Sequence, residues 1–264
     1  MKIGFIGTGN MASAIMGGIL SHGLSKPDEV YGADVFAPSR EKVEKQFGIH
    51  TTENNLEVVK QTDVLFLSVK PQYYQEVIKQ IASEIRNDQI VITIAPGKTL
   101  AWLREQFGKD VKIVRLMPNT PAMVGAGMTA ATPNEFVTEE EKEKVLELLR
   151  SFGEVEVVTE KLMDTVTAVS GSSPAYVYMF IEAMADAAVS GGMARPQAYK
   201  FAAQAVLGSA KMVLDTGKHP GELKDMVCSP AGTTIEAVRV LEERGLRSAV
   251  FEAMKVVEEI SGRM

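Results

Sequence analysis

The sequence predicts an α/β protein in which a doubly wound, mostly parallel sheet is followed by an all-α C-terminal domain. Short apolar runs alternate with helical stretches over residues 1–160. This alternation is typical of parallel strands joined by helices that cover both faces of a sheet. Beyond residue 160 the strand pattern stops, and long helical patterns continue to residue 264. We therefore expect a sheet domain over residues 1–160 and a helical domain over residues 161–264.

The individual elements are predicted from apolar runs of strand length and from apolar residues at helical spacing. The predicted strands are Ile3–Ile6, Glu29–Ala33, Val64–Val69, Ile90–Ala95, Lys112–Leu116, Thr129–Thr132 and Val155–Val158. The predicted helices of the first domain include Met11–His22, Arg40–Phe47, Tyr73–Ile85 and Leu100–Phe107. Another helix begins at Thr138, because Glu141 three residues later completes a capping box. The predicted C-terminal helices are Leu162–Val169, Ala175–Gly191, Arg195–Thr216, Gly221–Val227, Thr233–Gly245 and Leu246–Ser261.

Composition and charge narrow the classes of partner. The net charge of −6 offers no basic surface for nucleic acid or for an acidic membrane. No apolar run reaches the roughly 18 residues that a membrane span needs, and the first strand leaves no room for a targeting segment. Cys228 is the only cysteine, so an internal disulfide is excluded. We expect a cytoplasmic protein that binds neither nucleic acid nor membrane.

The first predicted strand ends in a glycine-rich turn that opens a helix. Gly7, Gly9 and Ala12 have the spacing of a Rossmann-type dinucleotide-binding turn, and Ile6 precedes it. The first glycine allows the tight turn, the second lets the backbone approach a pyrophosphate, and the alanine lets the helix pack on the strand. The start of the helix adds free N–H groups and a positive dipole end for phosphates. The sequence therefore predicts a dinucleotide cofactor.

The loop after the second predicted strand holds the candidate ribose-binding residues. Asp34 lies 22 residues after Ala12, where an acidic residue commonly accepts a hydrogen bond from the ribose 2′-hydroxyl. Its charge would repel a 2′-phosphate, whereas the nearby Ser39 and Arg40 could hold that phosphate. These residues leave the choice between NADH and NADPH open.

Further candidates lie where later strands end, because ligands of open α/β sheets bind outside the carboxyl ends of the strands. Lys70 and Pro71 follow the third predicted strand, and Ala95 and Pro96 end the fourth. Asn119 follows the fifth strand in a loop stiffened by two prolines. The alternative for Lys70 is an ordinary solvated loop lysine.

Two segments of the helical half place hydroxyl groups where a helix is predicted to begin. These segments are Ser170–Pro174 and Ser229–Thr234. Backbone N–H groups, the helix dipole and side-chain donors together suit an anion such as a carboxylate. The alternative is simple N-capping, and the residues alone do not decide between the two.

The helical half also predicts an oligomer. The stretches Ala175–Gly191 and Phe201–Leu214 are apolar on nearly all sides. A helix of this kind must be buried, and one small bundle has little room for two. We therefore expect these helices to form an interface between subunits.

The chemistry available to such a site is restricted. His22, His50 and His219 stand apart, no metal-binding cluster is evident, and no strong acid or base is well placed. Hydride transfer to an already activated electrophile, such as an imine, fits these residues.

Several long stretches resemble the pyrroline-5-carboxylate reductase family. The most specific is residues 219–235, HPGELKDMVCSPAGTTI, and residues 69–71, 117–121 and 170–176 also match. The resemblance implies reduction of 1-pyrroline-5-carboxylate to L-proline with NADPH, or with NADH as the alternative. It implies homodimers formed by the C-terminal helices, assembled into larger rings, with the substrate pocket completed by the partner subunit.

The resemblance also implies individual contacts. The implied cofactor contacts are Gly7, Thr8, Gly9, Asn10, Met11, Asn55, Ser68, Val69, Lys70, Pro71, Ala95 and Pro96. The implied substrate contacts are Glu160, Thr233 and Thr234, and we add Ser229 and Gly232 of the same segment. We predict that the Thr234 hydroxyl is the catalytic group that orients the imine. Ala231 departs from the family pattern, which usually has glycine there.

Two other functions compete with this hypothesis. A 3-hydroxyacid dehydrogenase would share the two-domain plan, but it would need a proton-handling lysine or histidine in the helical domain. A non-catalytic NAD(P)-binding regulator would share the fold, but it would not need the segment Ser229–Thr234.

Overall fold

The structure, a computed structural model, describes residues 1–263 and confirms the predicted fold class. Its strands are β1 (Ile3–Ile6), β2 (Val30–Ala33), β3 (His50–Thr52), β4 (Val64–Leu67), β5 (Ile90–Thr93), β6 (Lys112–Met117), β7 (Gly127–Pro133) and β8 (Gly153–Val157). They form one sheet in the order β3-β2-β1-β4-β5-β6-β7-β8. Neighbouring strands are parallel except β6 and β7, which are antiparallel.

The helices fall into two groups. Those that alternate with strands are α1 (Asn10–Ser21), α2 (Ala37–Phe47), α3 (Asn55–Gln61), α4 (Tyr74–Ile81), α5 (Leu100–Phe107) and α6 (Glu139–Arg150). Those that follow the sheet are α7 (Met163–Val166), α8 (Ser173–Ser190), α9 (Arg195–Thr216), α10 (Pro220–Met226), α11 (Thr233–Glu243) and α12 (Leu246–Ser261). The predicted capping box at the start of α6 is confirmed, since Thr138 and Glu141 exchange hydrogen bonds.

The sheet has an apolar core on each face. Strands β1, β4 and β5 are buried throughout, as expected for parallel strands covered on both sides. Helices α1, α2 and α6 contribute to the core on one face, and α3, α4 and α5 contribute to the core on the other. Strand β1 lies between β2 and β4. The strands β2 and β3 extend the sheet on one side of β1, and the strands from β4 onward extend it on the other side. Ligands of such sheets bind in the crevice at this switch point.

The structure corrects some boundaries. Strand β3 and helix α3 were not predicted, because His50–Thr52 has no apolar side chain and α3 has only seven residues. The predicted helix Tyr73–Ile85 ends earlier, at Ile81, and a 3₁₀ turn over Pro71–Tyr73 precedes it.

The predicted helix start at Ser170–Pro174 is wrong. The chain is helical from Met163 through a π-helical turn at Thr167–Ser172 and directly into α8. Because Ser170 and Ser172 lie inside this helical run, the segment has no free helix N-terminus for an anion.

The chain divides into two compact units. The first holds residues 1–172 together with the C-terminal residues from Val257 onward, and the second holds Ser173–Val256. In the second unit α8 and α9 pack against each other, with the small residues Ala185, Ala198 and Ala202 buried. The domain boundary at residue 160 stays a prediction.

Large apolar side chains remain exposed in the second unit of the single chain. On α8 and α9, Met179 is 69% exposed, Phe201 is 62% exposed and Leu214 is 79% exposed. One chain therefore leaves uncovered the apolar surface from which the sequence predicts a subunit interface. Within residues 1–263, no helix combines the length and the apolar character needed to cross a membrane.

The core of the first unit contains one polar group that should cost stability. Thr129 on β7 is 1% exposed, and its hydroxyl has no hydrogen-bond partner among the described residues. Thr129→Val keeps the side-chain shape and removes this hydroxyl, so the free energy of unfolding should rise by about 1 kcal/mol. Urea unfolding measures the change.

Thr132→Val is the matched control on the same strand. The Thr132 hydroxyl donates to the carbonyl of Val158 at 2.7 Å, so its removal should lower the free energy of unfolding. Destabilisation by both variants would contradict the prediction for Thr129.

Candidate active site

The glycine turn after β1 is held by both neighbouring strands. The Gly7 N–H donates to the carbonyl of Ala33 at 2.7 Å, and the Ser68 backbone N–H donates to the carbonyl of Ile6 at 2.8 Å. Gly7 has φ +93°, and a Cβ there would lie 2.8 Å from the carbonyl carbon and oxygen of Ser68. Only glycine therefore fits at this position.

Gly9 is glycine for a different reason. Its φ of −69° suits any residue, and an added Cβ would meet no atom within 4 Å. The fold of the chain therefore does not require glycine at this position. The open space above the backbone is what a closely approaching pyrophosphate needs.

Two sets of polar groups beside this turn lack a hydrogen-bond partner from a side chain of the described residues. Helix α1 begins after Gly9, and no side chain of the described residues caps it. The hydroxyl of Ser68, at the end of β4, is buried without a hydrogen-bond partner in residues 1–263. Buried polar groups are nearly always paired, so an unpaired one beside an open turn fits a bound ligand. Asn10 and Met11 supply the first N–H groups of the helix, and the residues present fit a dinucleotide.

Asp34 lies against the glycine turn. Its Oδ2 accepts from the Thr8 N–H at 2.8 Å and from the Thr8 hydroxyl at 3.2 Å. Its Oδ1 accepts from the Phe36 N–H at 2.9 Å. The carboxylate thus links the glycine turn to the loop after β2, a role that sequence reasoning missed. A carboxylate has further lone pairs, so these bonds leave room for a ribose hydroxyl.

The other ribose candidates lie in the same region. Arg40 donates to the carbonyl of Asp34 at 2.6 Å and pairs with Glu53 at 2.7 Å. Ser39 is in the first turn of α2, and its side chain is half-buried. Asn55 begins α3, and its amide donates to the side chain of Gln80 at 2.8 Å. The amide N–H groups of Asn55 thus have a partner within the chain.

The loops after β4 and β5 lie at the carboxyl edge of the sheet, as predicted. Lys70 is exposed, Val69 is half-buried, and Pro71 is the first residue of a 3₁₀ turn, where its missing N–H costs nothing. After β5, Ala95 is buried and Pro96 is half-buried.

Asn119 has both ends of its side chain occupied. Its Oδ1 accepts from the Met128 N–H at 2.9 Å, and its Nδ2 donates to the carbonyl of Ser170 at 3.0 Å. Pro174 follows Ser170 by four residues and has no N–H, so a regular helix would leave that carbonyl unpaired. Asn119 supplies the missing donor, which assigns it a structural task beside its predicted contact with the cofactor. In the sequence, Pro174 was the signal that the Ser170 carbonyl needs a donor from elsewhere in the chain.

Glu160 is also engaged within the first unit. Its Oε1 accepts from Arg115 at 2.8 Å and from the Leu100 N–H, at the start of α5, at 2.7 Å. Arg115 is 5% exposed, so this carboxylate neutralises a buried cation. A charged residue in the middle of an apolar strand was the sequence signal for this pair. The substrate contact assigned to Glu160 by resemblance stays a prediction.

The predicted substrate segment lies in the second unit, at the start of α11. Thr233 and Thr234 are the first two residues of the helix, both are exposed, and no described side chain caps it. Gly232 precedes the helix, and a Cβ there would lie 2.4 Å from the Ser229 hydroxyl oxygen. Free N–H groups and two hydroxyls at one helix start suit a carboxylate.

Ala231 is the one strained residue of this segment. Its φ of +57° lies in the left-handed region, where glycine is favoured. It is the only non-glycine residue with positive φ in residues 1–263. The glycine that the family usually has here would relieve this strain.

Comparison with known proteins identifies the family. A family model for pyrroline-5-carboxylate reductase dimerisation matches residues 160–264, and one for coenzyme F420-dependent NADP oxidoreductases matches residues 2–97. Pyrroline-5-carboxylate reductase of Escherichia coli K12 is 56% identical over 100% of this chain and 98% of the relative. The chain belongs to the pyrroline-5-carboxylate reductase family. The resemblance found in the sequence is therefore confirmed.

A more distant relative and a solved structure agree. Pyrroline-5-carboxylate reductase of Methanosarcina acetivorans is 43% identical over 96% of this chain and 94% of the relative. The Plasmodium falciparum pyrroline carboxylate reductase, solved with NADP bound, has a TM-score of 0.91 at 31% identity, covering 100% of this chain and 97% of that chain. The chain is an NAD(P)H-dependent oxidoreductase. The individual site residues stay predictions.

The two glycines of the turn give a test of the cofactor site. Gly9→Ala adds a methyl group to open space, so the melting temperature should stay within about 2 °C while the KM for NADPH rises about tenfold. Gly7→Ala places a Cβ against the Ser68 backbone, so it should lower the melting temperature as well. Thermal unfolding and steady-state kinetics measure both. An unchanged KM in Gly9→Ala would contradict a pyrophosphate site at this turn.

Proposed function

We propose that the chain carries out the reaction of its family with two groups of residues, a cofactor site on the first unit and a carboxylate site at the start of α11. The reaction is the reduction of 1-pyrroline-5-carboxylate to L-proline, the last step of proline biosynthesis. The observation that supports the substrate half most directly is the uncapped start of α11, which carries two adjacent threonine hydroxyls.

The proposed cofactor site comprises the glycine turn and the strand ends beside it. The turn residues are Ile6, Gly7, Thr8, Gly9, Asn10 and Met11. The remaining residues are Asp34, Ser39, Arg40, Asn55, Ser68, Val69, Lys70, Pro71, Ala95, Pro96 and Asn119. Bound NADPH supplies the hydride that adds to the C=N carbon. The free N–H groups at the start of α1 bind the pyrophosphate, and the Ser68 hydroxyl gains a partner.

The proposed substrate site binds the carboxylate of 1-pyrroline-5-carboxylate. Ser229, Gly232, Thr233 and Thr234 contribute hydroxyl and N–H donors, and the positive end of the α11 dipole favours the negative charge. The family resemblance alone supports Glu160 as a further substrate contact. Fixing the carboxylate orients the ring, and orientation is the main contribution that this site makes to the rate.

Thr234 is the proposed catalytic residue. Its hydroxyl oxygen accepts a hydrogen bond from the protonated ring nitrogen and thereby orients the imine. An imine whose nitrogen arrives protonated already has a strongly electrophilic C=N carbon, so the site needs no general acid. Hydride addition then converts the C=N bond into an amine, and the nitrogen keeps its proton.

The proposed assembly is a homodimer through the C-terminal helices, with dimers joined into a larger ring. The family model for dimerisation covers these helices, and their exposed apolar side chains need a cover. We place the functional boundary at residue 160, with the sheet domain at 1–160 and the helical domain at 161–264. We also propose a cytoplasmic enzyme that binds neither nucleic acid nor membrane, because the net charge is −6.

The role of Thr234 is tested by removing its hydroxyl. Thr234→Ala should lower kcat about 100-fold, since it removes the hydrogen-bond partner of the reacting group, and should leave the melting temperature unchanged because the side chain is exposed. Thr234→Ser keeps the hydroxyl and should keep most of kcat. Turnover of the alanine variant at the wild-type rate would remove Thr234 from the mechanism.

The role of Asp34 is tested through cofactor preference. Asp34→Asn removes the negative charge and keeps one oxygen for the Thr8 N–H, so the ratio of kcat/KM for NADPH to that for NADH should rise about tenfold. Asp28→Asn removes an exposed charge elsewhere in the same unit and should leave the ratio unchanged. An unchanged ratio in both variants would place Asp34 outside the ribose site. Its role would then be limited to linking the glycine turn to the loop after β2.

A further inference from the structure

Tyr74, the first residue of α4, connects the carboxyl ends of two central strands. The side chain is 0% exposed. Its hydroxyl donates to the carbonyl of Leu67 at 2.5 Å and accepts from the Thr93 hydroxyl at 3.0 Å and from the Ile94 N–H at 3.3 Å. Leu67 and Thr93 are the last paired residues of β4 and β5. The hydroxyl thus adds a cross-link where the ladder between these strands stops.

The cross-linked residues lead directly into two loops of the proposed cofactor site. Ser68 follows Leu67 and begins the loop after β4, and Ala95 follows Ile94 in the loop after β5. Adjacent residues of a chain are joined by one planar peptide unit, so the first residue of each loop is placed by the strand end before it. The Tyr74 hydroxyl therefore bonds to the residues from which both loops start.

The protonation state of Tyr74 suits this role. Burial raises the pKa of Tyr74 to about 12. The hydroxyl therefore remains protonated at neutral pH, and it donates to one strand while it accepts from the other. No titration near neutral pH breaks the link.

We propose that Tyr74 is a positioning residue that fixes the separation of the loops after β4 and β5 and thereby sets the affinity for NADPH. The proposal rests on the proposed cofactor site. Tyr74 does not need to contact the cofactor, because it acts through the carbonyl of Leu67 and the N–H of Ile94. Loss of its hydroxyl should weaken cofactor binding without slowing the chemical step.

The other end of the same strand pair provides a matched control. Gln89 precedes β5 and is also 0% exposed. Its Nε2 donates to the carbonyls of Val59 at 2.9 Å and Thr62 at 2.8 Å. Gln89 is thus an equally buried polar link, but it lies at the amino end of the strands, away from the cofactor edge.

The test compares Tyr74→Phe with Gln89→Met in the full-length enzyme. Tyr74→Phe keeps the ring and removes the hydroxyl, so the KM for NADPH and the Kd for NADP⁺ should rise about fivefold, with kcat within about twofold of wild type. The KM for 1-pyrroline-5-carboxylate at saturating NADPH should not change. Gln89→Met should lower the melting temperature and leave every kinetic constant unchanged.

A lower melting temperature for Tyr74→Phe with an unchanged KM for NADPH would overturn the proposal, because the role would then be structural alone. If Tyr74→Phe does not fold, Thr93→Val removes only one of the three hydrogen bonds. It should raise the same KM about twofold, and an unchanged KM would be equally decisive against the proposal.

Gly9→Ala separates this proposal from the cofactor site on which it rests. If Gly9→Ala raises the KM for NADPH and Tyr74→Phe does not, the cofactor site stands and the positioning role fails. If neither variant raises it, the cofactor site itself is wrong and the role of Tyr74 fails with it.

Discussion

The close backbone approach at Gly7 is the constraint on which the first unit depends. The turn after β1 is bonded to β2 through Ala33 and lies against the end of β4 at Ser68. This contact brings three strand ends to one point, and most of the proposed cofactor residues lie on the loops that leave it. A side chain at Gly7 would move β4 away from β1, and the glycine turn would lose its relation to the loop after β4.

The features that follow from local pattern were predictable from the sequence. Central strands β1, β4 and β5 are continuous apolar runs, and the capping box of α6 is a short-range motif. Strand β3 was not predictable, because His50–Thr52 is polar and gains its place by pairing with β2. Similarly, the segment Ser170–Pro174 was expected to precede a helix start, but a π-helical turn runs through it directly into α8.

The candidate site was predictable in its location and less so in its contacts. The carboxyl edge of the sheet follows from strand order and the glycine turn. The partners of Asp34, Asn119 and Glu160 do not, because each pairs with a residue distant in sequence. A motif indicates which side chains suit a ligand, but only the fold shows which of their polar atoms are already bonded.

The contacts around the glycine turn have a consequence for the thermodynamics of binding. Ala33, Asp34 and Ser68 hold the turn through contacts within the chain itself. The conformational entropy of this loop is therefore lost during folding and not when a ligand arrives. Association then carries only a small ordering penalty at the turn. Calorimetric entropies of cofactor binding would accordingly report mainly on released water and on the ligand's own translational, rotational and torsional freedom.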